Sequence, residues 1–274
     1  MIEKQIDTIV TDMDGTLLLK KGDAIHPLNQ EVLSEWQESG KKLFLATGRL
    51  DLAILPFIHA LKIKLPVISC NGGLVRDFET GEILYKSDIE LKKIAELLAL
   101  LAPLEVDYHI YTTKRILGPS YTGKIAFFTE QNKQLPENEQ VPLTVTQDPL
   151  AILDEGEFPL KLLIVEGDKA KQQQIKELLA DSGMSVLSSA ANLIDIMNEG
   201  IDKAKGLRFL AEKGYLDLSH TLAFGDNEND AGMIELAAIG VAMENGIAQA
   251  KEKADFIGLS NEEGGVGRFI LDQL

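Results

Sequence analysis

Ile9-Val10-Thr11-Asp12-Met13-Asp14-Gly15-Thr16-Leu17 is the stretch on which the reading of the fold turns. Its first residues close a strand candidate, Ile6 to Thr11, in which Ile9 and Val10 are adjacent rather than alternating, as expected where helices cover both faces of a parallel strand. The strand stops at Asp12, and the residues that follow turn a chain and carry charge. Further on, Pro27 to Ser39 carries Leu28, Val32, Leu33 and Trp36 at helical spacing, with Gly40 as its stop. Strand Leu43 to Thr47, helix Leu50 to Leu61 and strand Val67 to Cys70 follow, so the first 70 residues predict β-α-β-α-β, the beginning of a doubly wound sheet.

The pattern then changes. Leu74 to Tyr85 predicts a hairpin around Glu79-Thr80-Gly81-Glu82. Helix Asp88 to Leu101 precedes strand-like stretches at Val106 to Thr112, Ile125 to Thr129 and Leu143 to Thr146, separated by polar segments such as Gln131 to Gln140. Strand Leu160 to Val165, helix Lys169 to Ser182 and the strand pair Ser185 to Ser189 and Leu193 to Met197 complete this middle part, and Gly200 marks the way out. From Lys203 the alternation resumes: helix to Lys213, strand Leu222 to Phe224, helix Asn229 to Ala237, strand Gly240 to Ala242, helix Ile247 to Lys253, strand Asp255 to Ile257 and helix Gly267 to Leu274. The fold class expected is α/β: a Rossmann-like parallel-sheet core from residues 1–82 and 198–274, with an α+β domain inserted at 83–197.

Composition narrows the partners. The chain of 274 residues carries 27 Lys+Arg against 43 Asp+Glu, a formal net charge of −16, and has no basic run, which argues against tracking nucleic acid or an anionic membrane. A hydrophobic content of 45% is too high for disorder. The longest apolar run, Leu97 to Ala102, is far short of a membrane span. Glu3, Lys4 and Asp7 interrupt the segment where a secretory signal needs an unbroken apolar core, and Cys70 as the single cysteine leaves no intramolecular disulfide; both lead to the expectation of a cytoplasmic protein. Oligomeric state stays open between a monomer and a small homo-oligomer.

In open α/β sheets ligands bind outside the carboxyl ends of the strands, so the residue at which each strand stops carries the information. Those stops are Asp12 to Thr16, Thr47-Gly48-Arg49, Asn71-Gly72-Gly73 and Gly225 to Asp230. Asp12, Asp14 and Asp226 in one crevice repel unless a divalent cation lies between them, and hard oxygen ligands suit Mg²⁺, which is usually completed by a substrate phosphate. Gly15, Gly48, Gly72 and Gly225 allow backbone N–H groups to approach that phosphate, Thr16 and Thr47 offer hydroxyls, and Lys203 can neutralise remaining charge. Each element has a plainer reading: Asp-Gly-Thr as a turn, Thr47-Gly48 as a helix cap, Lys203 as surface. Asp226 to Asp230 is not a calcium loop, because Ala231 and Ala237 stand where the turn glycine and the glutamate belong. Gly264 to Gly267 reads as a helix start rather than a dinucleotide fingerprint, His26, His59, His109 and His220 as ordinary surface or core residues, and Cys70 as a buried strand residue.

Taken together the four stretches resemble the haloacid dehalogenase superfamily, in particular its Cof-type, sugar-phosphatase-like members with a large α/β cap. Asp12-Met13-Asp14-Gly15-Thr16 is similar to the first motif of that family, Thr47 to the second, Lys203 to the third and Gly225 to Asp230 to the fourth; Ala204 departs from the glycine that often follows the lysine. The resemblance implies a Mg²⁺-dependent phosphatase of small phosphorylated metabolites. Asp12 would be the nucleophile and Asp14 the general acid and base, with Thr47 and Lys203 completing the catalytic set. Asp12, Asp14 (through its backbone carbonyl), Asp226 and Asp230 would hold the metal, and Thr16, Gly48, Asn71 and Asn229 would bind substrate. Arg49 and the inserted-domain cations Arg115, Lys124 and Lys161 are further candidates for meeting the ligand. Alternatives are a phosphomutase of the same superfamily and a non-catalytic phosphate-binding or regulatory protein on the same fold. A phospho-receiver module fits less well, because Asp12 and Asp14 share one loop and a large insertion splits the core.

Overall fold

The computed structural model describes residues 4–274; Glu3, invoked above against a signal segment, lies outside them. In chain order the elements begin with β1 (Thr8–Thr11), α1 (Pro27–Glu38), β2 (Lys42–Leu45), α2 (Leu55–Ala60), β3 (Val67–Ser69), β4 (Leu74–Arg76) and β5 (Ile83–Lys86). The middle contains α3 (Leu91–Leu101), β6 (Asp107–Thr112), β7 (Ile116–Gly118), α4 (Gly123–Asn132), β8 (Leu143–Val145), β9 (Pro159–Val165), α5 (Lys169–Leu179), β10 (Met184–Ala190) and β11 (Leu193–Asn198). The return runs α6 (Lys203–Glu212), β12 (Thr221–Gly225), α7 (Ala231–Leu236), β13 (Ile239–Met243), α8 (Ala248–Glu252), β14 (Phe256–Gly258) and α9 (Gly265–Gln273). The chain divides into two compact units, one holding the chain through Gly48 with Pro56–Tyr85 and Asp202–Leu274, the other Arg49–Leu55 with Lys86–Ile201.

The first unit is built on a five-stranded sheet in the order β14-β13-β12-β1-β2, with every pair parallel. All four residues of β1 are buried, which explains its unbroken apolar character. Register decides the site: Thr11 lies opposite Phe224 on one side and Leu45 on the other, so the loops opening at Asp12, Gly225 and Ala46 leave one edge of the sheet together. Val10, Phe44, Ala46, Ile68, Leu207, Leu210, Ala223 and Met233 form one buried cluster beneath that edge. At about 1.5–3 kcal/mol for each large side chain, this burial is the main force holding the loops in place.

Local expectations differ at four places in this unit. The single helix expected over Leu50 to Leu61 is a 3₁₀ turn, Asp51–Ile54, followed by α2, because Pro56 has no N–H with which to continue the first turn. The helix expected over Asn229 to Ala237 likewise opens as a 3₁₀ turn, Glu228–Asp230, before α7. Strand β3 does not run as a full parallel partner of β2; it meets that strand's end by a single bridge, Ala46 to Ile68, and pairs antiparallel with β4, giving a small β3-β4-β5 sheet. Cys70 is buried, as expected, but stands past the end of β3 with φ +48°.

The second unit is a six-stranded sheet in the order β10-β11-β9-β6-β7-β8, antiparallel except for β7 with β8. Ile110, Leu162, Ile164, Ile194 and Ile196 point to the face covered by Ile94, Leu97 and Leu101 of α3 and Ile175 and Leu179 of α5. Ile125 to Thr129, expected as a strand, lies inside α4, and β7 is a strand the sequence pattern does not announce. Among the described residues no helix is long and apolar enough to cross a membrane.

Candidate active site

Gly15, with φ +84°, turns the loop after β1 so tightly that a Cβ there would strike the Asp226 carboxylate, and the Thr16 hydroxyl donates to Asp226 Oδ1 at 2.9 Å. The loops after β1 and β12 are thereby locked together. Asp230 does the same within its own loop: its Oδ2 accepts the backbone N–H groups of Asp226 and Asn227 at 2.9 and 3.0 Å, part of a capping box with Asn227. Gly225 leaves room for that side chain.

Lys203 is fully buried at the first position of α6, between two carboxylates. Its Nζ donates to Asp12 Oδ1 and to Asp230 Oδ1, the latter at 2.5 Å. The side chain is thus an internal counter-ion, and a surface role for it does not survive the structure. Oxygen atoms of Asp12, Asp226 and Asp230 all lie within 4.8 Å of one another, a spacing suited to one cation. Two of these acids resist ionisation. Burial first, and the Asp230 charge second, push the Asp12 carboxyl well above the usual carboxylate range against the pull of Lys203. Burial and Asp230 raise Asp226 to about 7, opposed by the Thr16 hydroxyl and Lys203. Burial would lower the Lys203 ammonium, but Asp12 and Asp230 outweigh it and hold the proton more firmly than usual. One ammonium among three buried carboxyls leaves a negative excess that a divalent ion would relieve.

Of the other expected residues, Asp14 is exposed, whereas Thr47, Asn71 and Asn229 are buried. Asn229 Nδ2 donates to Asn71 Oδ1 at 2.9 Å, and Gly48 makes space for that amide, since a Cβ there would stand 2.8 Å from Asn71 Oδ1. In the second unit Arg115 is taken up by Glu157, with Nε at 3.0 Å and Nη2 at 2.7 Å from its carboxylate, and Lys161 pairs with buried Asp195 at 2.6 Å. Lys124 lies over the Phe127 ring. One contributor escapes a reading of the first four loops. Asn245 Nδ2 holds the Gly15 carbonyl at 2.7 Å, and the Ile247 N–H holds the Asp226 carbonyl at 2.8 Å. The signal is present in Glu244-Asn245-Gly246, which follows β13 at the same edge of the sheet.

The sequence model of the haloacid dehalogenase-like hydrolases matches residues 9–270. The chain belongs to that family. Similar relatives include the 5-amino-6-(5-phospho-D-ribitylamino)uracil phosphatase of Bacillus subtilis, 30% identical with 97% of each chain covered. The pyridoxal phosphate phosphatase of Escherichia coli is 27% identical over 97% of this chain and 98% of its own. A solved haloacid dehalogenase-like hydrolase from B. subtilis superposes with a TM-score of 0.85 at 26% identity, covering 98% of this chain and all of that one. The parallel core with a separate, largely antiparallel unit is thus the architecture of this hydrolase family.

Proposed function

We propose that this hydrolase is a Mg²⁺-dependent phosphatase of small phosphorylated metabolites that works through an aspartyl phosphate on Asp12. The observation that carries the reading is Lys203, held between Asp12 and Asp230 at the carboxyl edge of the parallel sheet, where it orients one carboxylate and balances its charge. The names of the relatives, both phosphatases of phosphorylated small molecules, support the same class.

The acidic cluster fits a hard divalent ion. Asp12 and Asp226 would supply carboxylates and Asp14 its main-chain carbonyl, while Asp230, whose two oxygens already accept three donors, orients the loop. Bound there, Mg²⁺ would neutralise carboxylate charge and polarise the phosphoryl group. In the first half-reaction a carboxylate oxygen of Asp12 attacks phosphorus as the ester P–O bond breaks, and Asp14, entering as the acid, gives its proton to the departing alkoxide. In the second, the Asp14 carboxylate takes a proton from water whose oxygen attacks phosphorus, releasing phosphate and the Asp12 carboxylate. Exposure suits Asp14 to this exchange. Lys203, Thr47 and Asn229 would hold phosphoryl oxygens. We assign choice of leaving group to the inserted unit.

The test is phosphate release from a broad panel of phosphorylated metabolites by the purified protein with and without Mg²⁺; turnover of none would favour a binding protein. Isomerised hexose phosphate without free phosphate would favour a mutase. The acidic cluster adds a pH-dependent expectation. Asp226 holds its proton more tightly folded, near 7, than at its ordinary 3.8, so without metal its contribution to stability is present below about 4 and lost as pH rises through 7. Mg²⁺ binds the deprotonated form. The rise in thermal midpoint on adding Mg²⁺ should therefore be larger at pH 8 than at pH 5.5 and be abolished by chelator, as scanning calorimetry would show.

A further inference from the structure

The turn Cys70-Asn71-Gly72 has three consecutive residues in the left-handed region, with φ of +48°, +54° and +88°. Only the last is a glycine. L side chains avoid this region, asparagine least, and such conformations persist only where the surroundings over-determine them. The surroundings here are the other loops of the site. The Asn71 N–H donates to the Thr47 carbonyl at 3.0 Å, and the Thr47 N–H donates to the Ile68 carbonyl at 2.9 Å, tying the turn to the loop after β2. Asn71 Oδ1 accepts from Asn229 Nδ2, tying it to the loop after β12. Gly72 lies against the main chain of Asp202, the residue before Lys203: any Cβ on Gly72 would collide with the Asp202 carbonyl oxygen and come within 3.4 Å of the Gly206 nitrogen. Gly206 completes the fit, since a Cβ there would meet Ile68 at 2.6 Å.

A second observation points to a ligand. Asn71 is fully buried, yet its Nδ2 has no hydrogen-bond partner among the described residues, and neither has Asn229 Oδ1. Reversing both amides exchanges the two residues' roles and leaves the same account, one donor and one acceptor unmet. Buried polar groups are rarely left so without a purpose, and a donor beside Thr47 and Asn229 suits a phosphoryl oxygen.

We propose that the 70–72 turn is a strained positioning device. It holds the Asn71 amide as a phosphoryl-oxygen donor and, through Gly72, sets the main chain from which Lys203 reaches Asp12. The assignment rests on the phosphatase reading and adds a residue to it. Strain maintained for function has a signature that ordinary packing lacks: relieving it leaves the fold as stable or more so while the site weakens.

Asn71→Gly relieves the left-handed conformation and deletes the amide. Its thermal midpoint should equal or exceed that of the parent protein, while the affinity for orthovanadate falls about tenfold and kcat falls about 10²-fold, the usual loss for one preorganised donor. Gly72→Ala keeps the amide but must displace Asp202; kcat should fall with Asn71 in place, and if this variant does not fold, Asn71→Gly still decides. Unchanged vanadate affinity and kcat in Asn71→Gly would overturn the proposal, as would a lowered midpoint with activity lost only in step with unfolding. Vanadate binding by the parent protein is measured first. If the parent neither binds vanadate nor hydrolyses any phosphate ester, the phosphatase reading itself fails; if it does both and Asn71→Gly matches it, only the role of the turn fails.

Discussion

Asp12→Asn should lower Mg²⁺-dependent phosphate release by about 10⁴-fold or more and leave the protein folded. The amide matches the carboxylate in shape but cannot form the acyl phosphate, so the loss should lie in kcat. Folding should be spared for an electrostatic reason. Burial and Asp230 already drive the Asp12 carboxyl toward its neutral form, and Lys203 keeps its contact with Asp230 at 2.5 Å when Asp12 loses its charge. The thermal midpoint of the metal-free variant at pH 8 should thus equal or exceed that of the parent. Turnover above about one hundredth of the parent value, after excluding back-deamidation by mass spectrometry, would remove Asp12 from the nucleophile's place.

Lys203→Met should be damaging in two ways. Asp12 and Asp230 would be left buried without their cation, and breaking a buried pair by deleting one partner costs about 3–5 kcal/mol. Phosphate release should fall by about 10³-fold, since the charge that orients Asp12 and stabilises the transition state is gone. The stability loss should depend on pH with a definite sign. Without Lys203 the two carboxyls prefer their protonated forms in the folded state even more strongly, so their raised pKa values favour folding at low pH and lose that contribution as pH rises. Urea titrations should show a smaller deficit at pH 5.5 than at pH 8. Equal deficits at both would mean that the lysine acts through packing of its alkyl chain alone.

The sequence pattern was most readable where burial on both faces produces it. Ile9-Val10 and the strand stops at Asp12 and Gly225 could be placed because a parallel strand must be apolar throughout and must end where polar ligand-binding groups begin. It was least readable where a distant residue decides. Ile125 to Thr129 has the aromatic and branched content of a strand, yet it continues a helix whose second N–H, at Lys124, is capped by buried His109 Nε2 at 3.1 Å. No local signal announces a cap supplied from a neighbouring strand. Gly118 and Gly123 make room for that imidazole and appear in the sequence only as turn residues. Asp230 was legible as an acid of the fourth motif, but not that Lys203 and two backbone N–H groups occupy both its oxygens.

The sequence by itself determined which side chains could do chemistry and at which strand ends they stand, because the periodicity of burial and the chemistry of turns are local properties. It could not determine their state. Lys203 meets Asp12 across 191 positions, and Asn71 meets Asn229 across 158. Whether an ammonium is a solvated surface charge or the buried partner of two carboxyls depends on desolvation and on distances of a few ångström, and these exist only once the sheet register has brought the loops together. The tertiary structure alone therefore decided that the lysine is an internal counter-ion, that two aspartates resist ionisation, and that the turn at Asn71 is held in a conformation its own residues avoid.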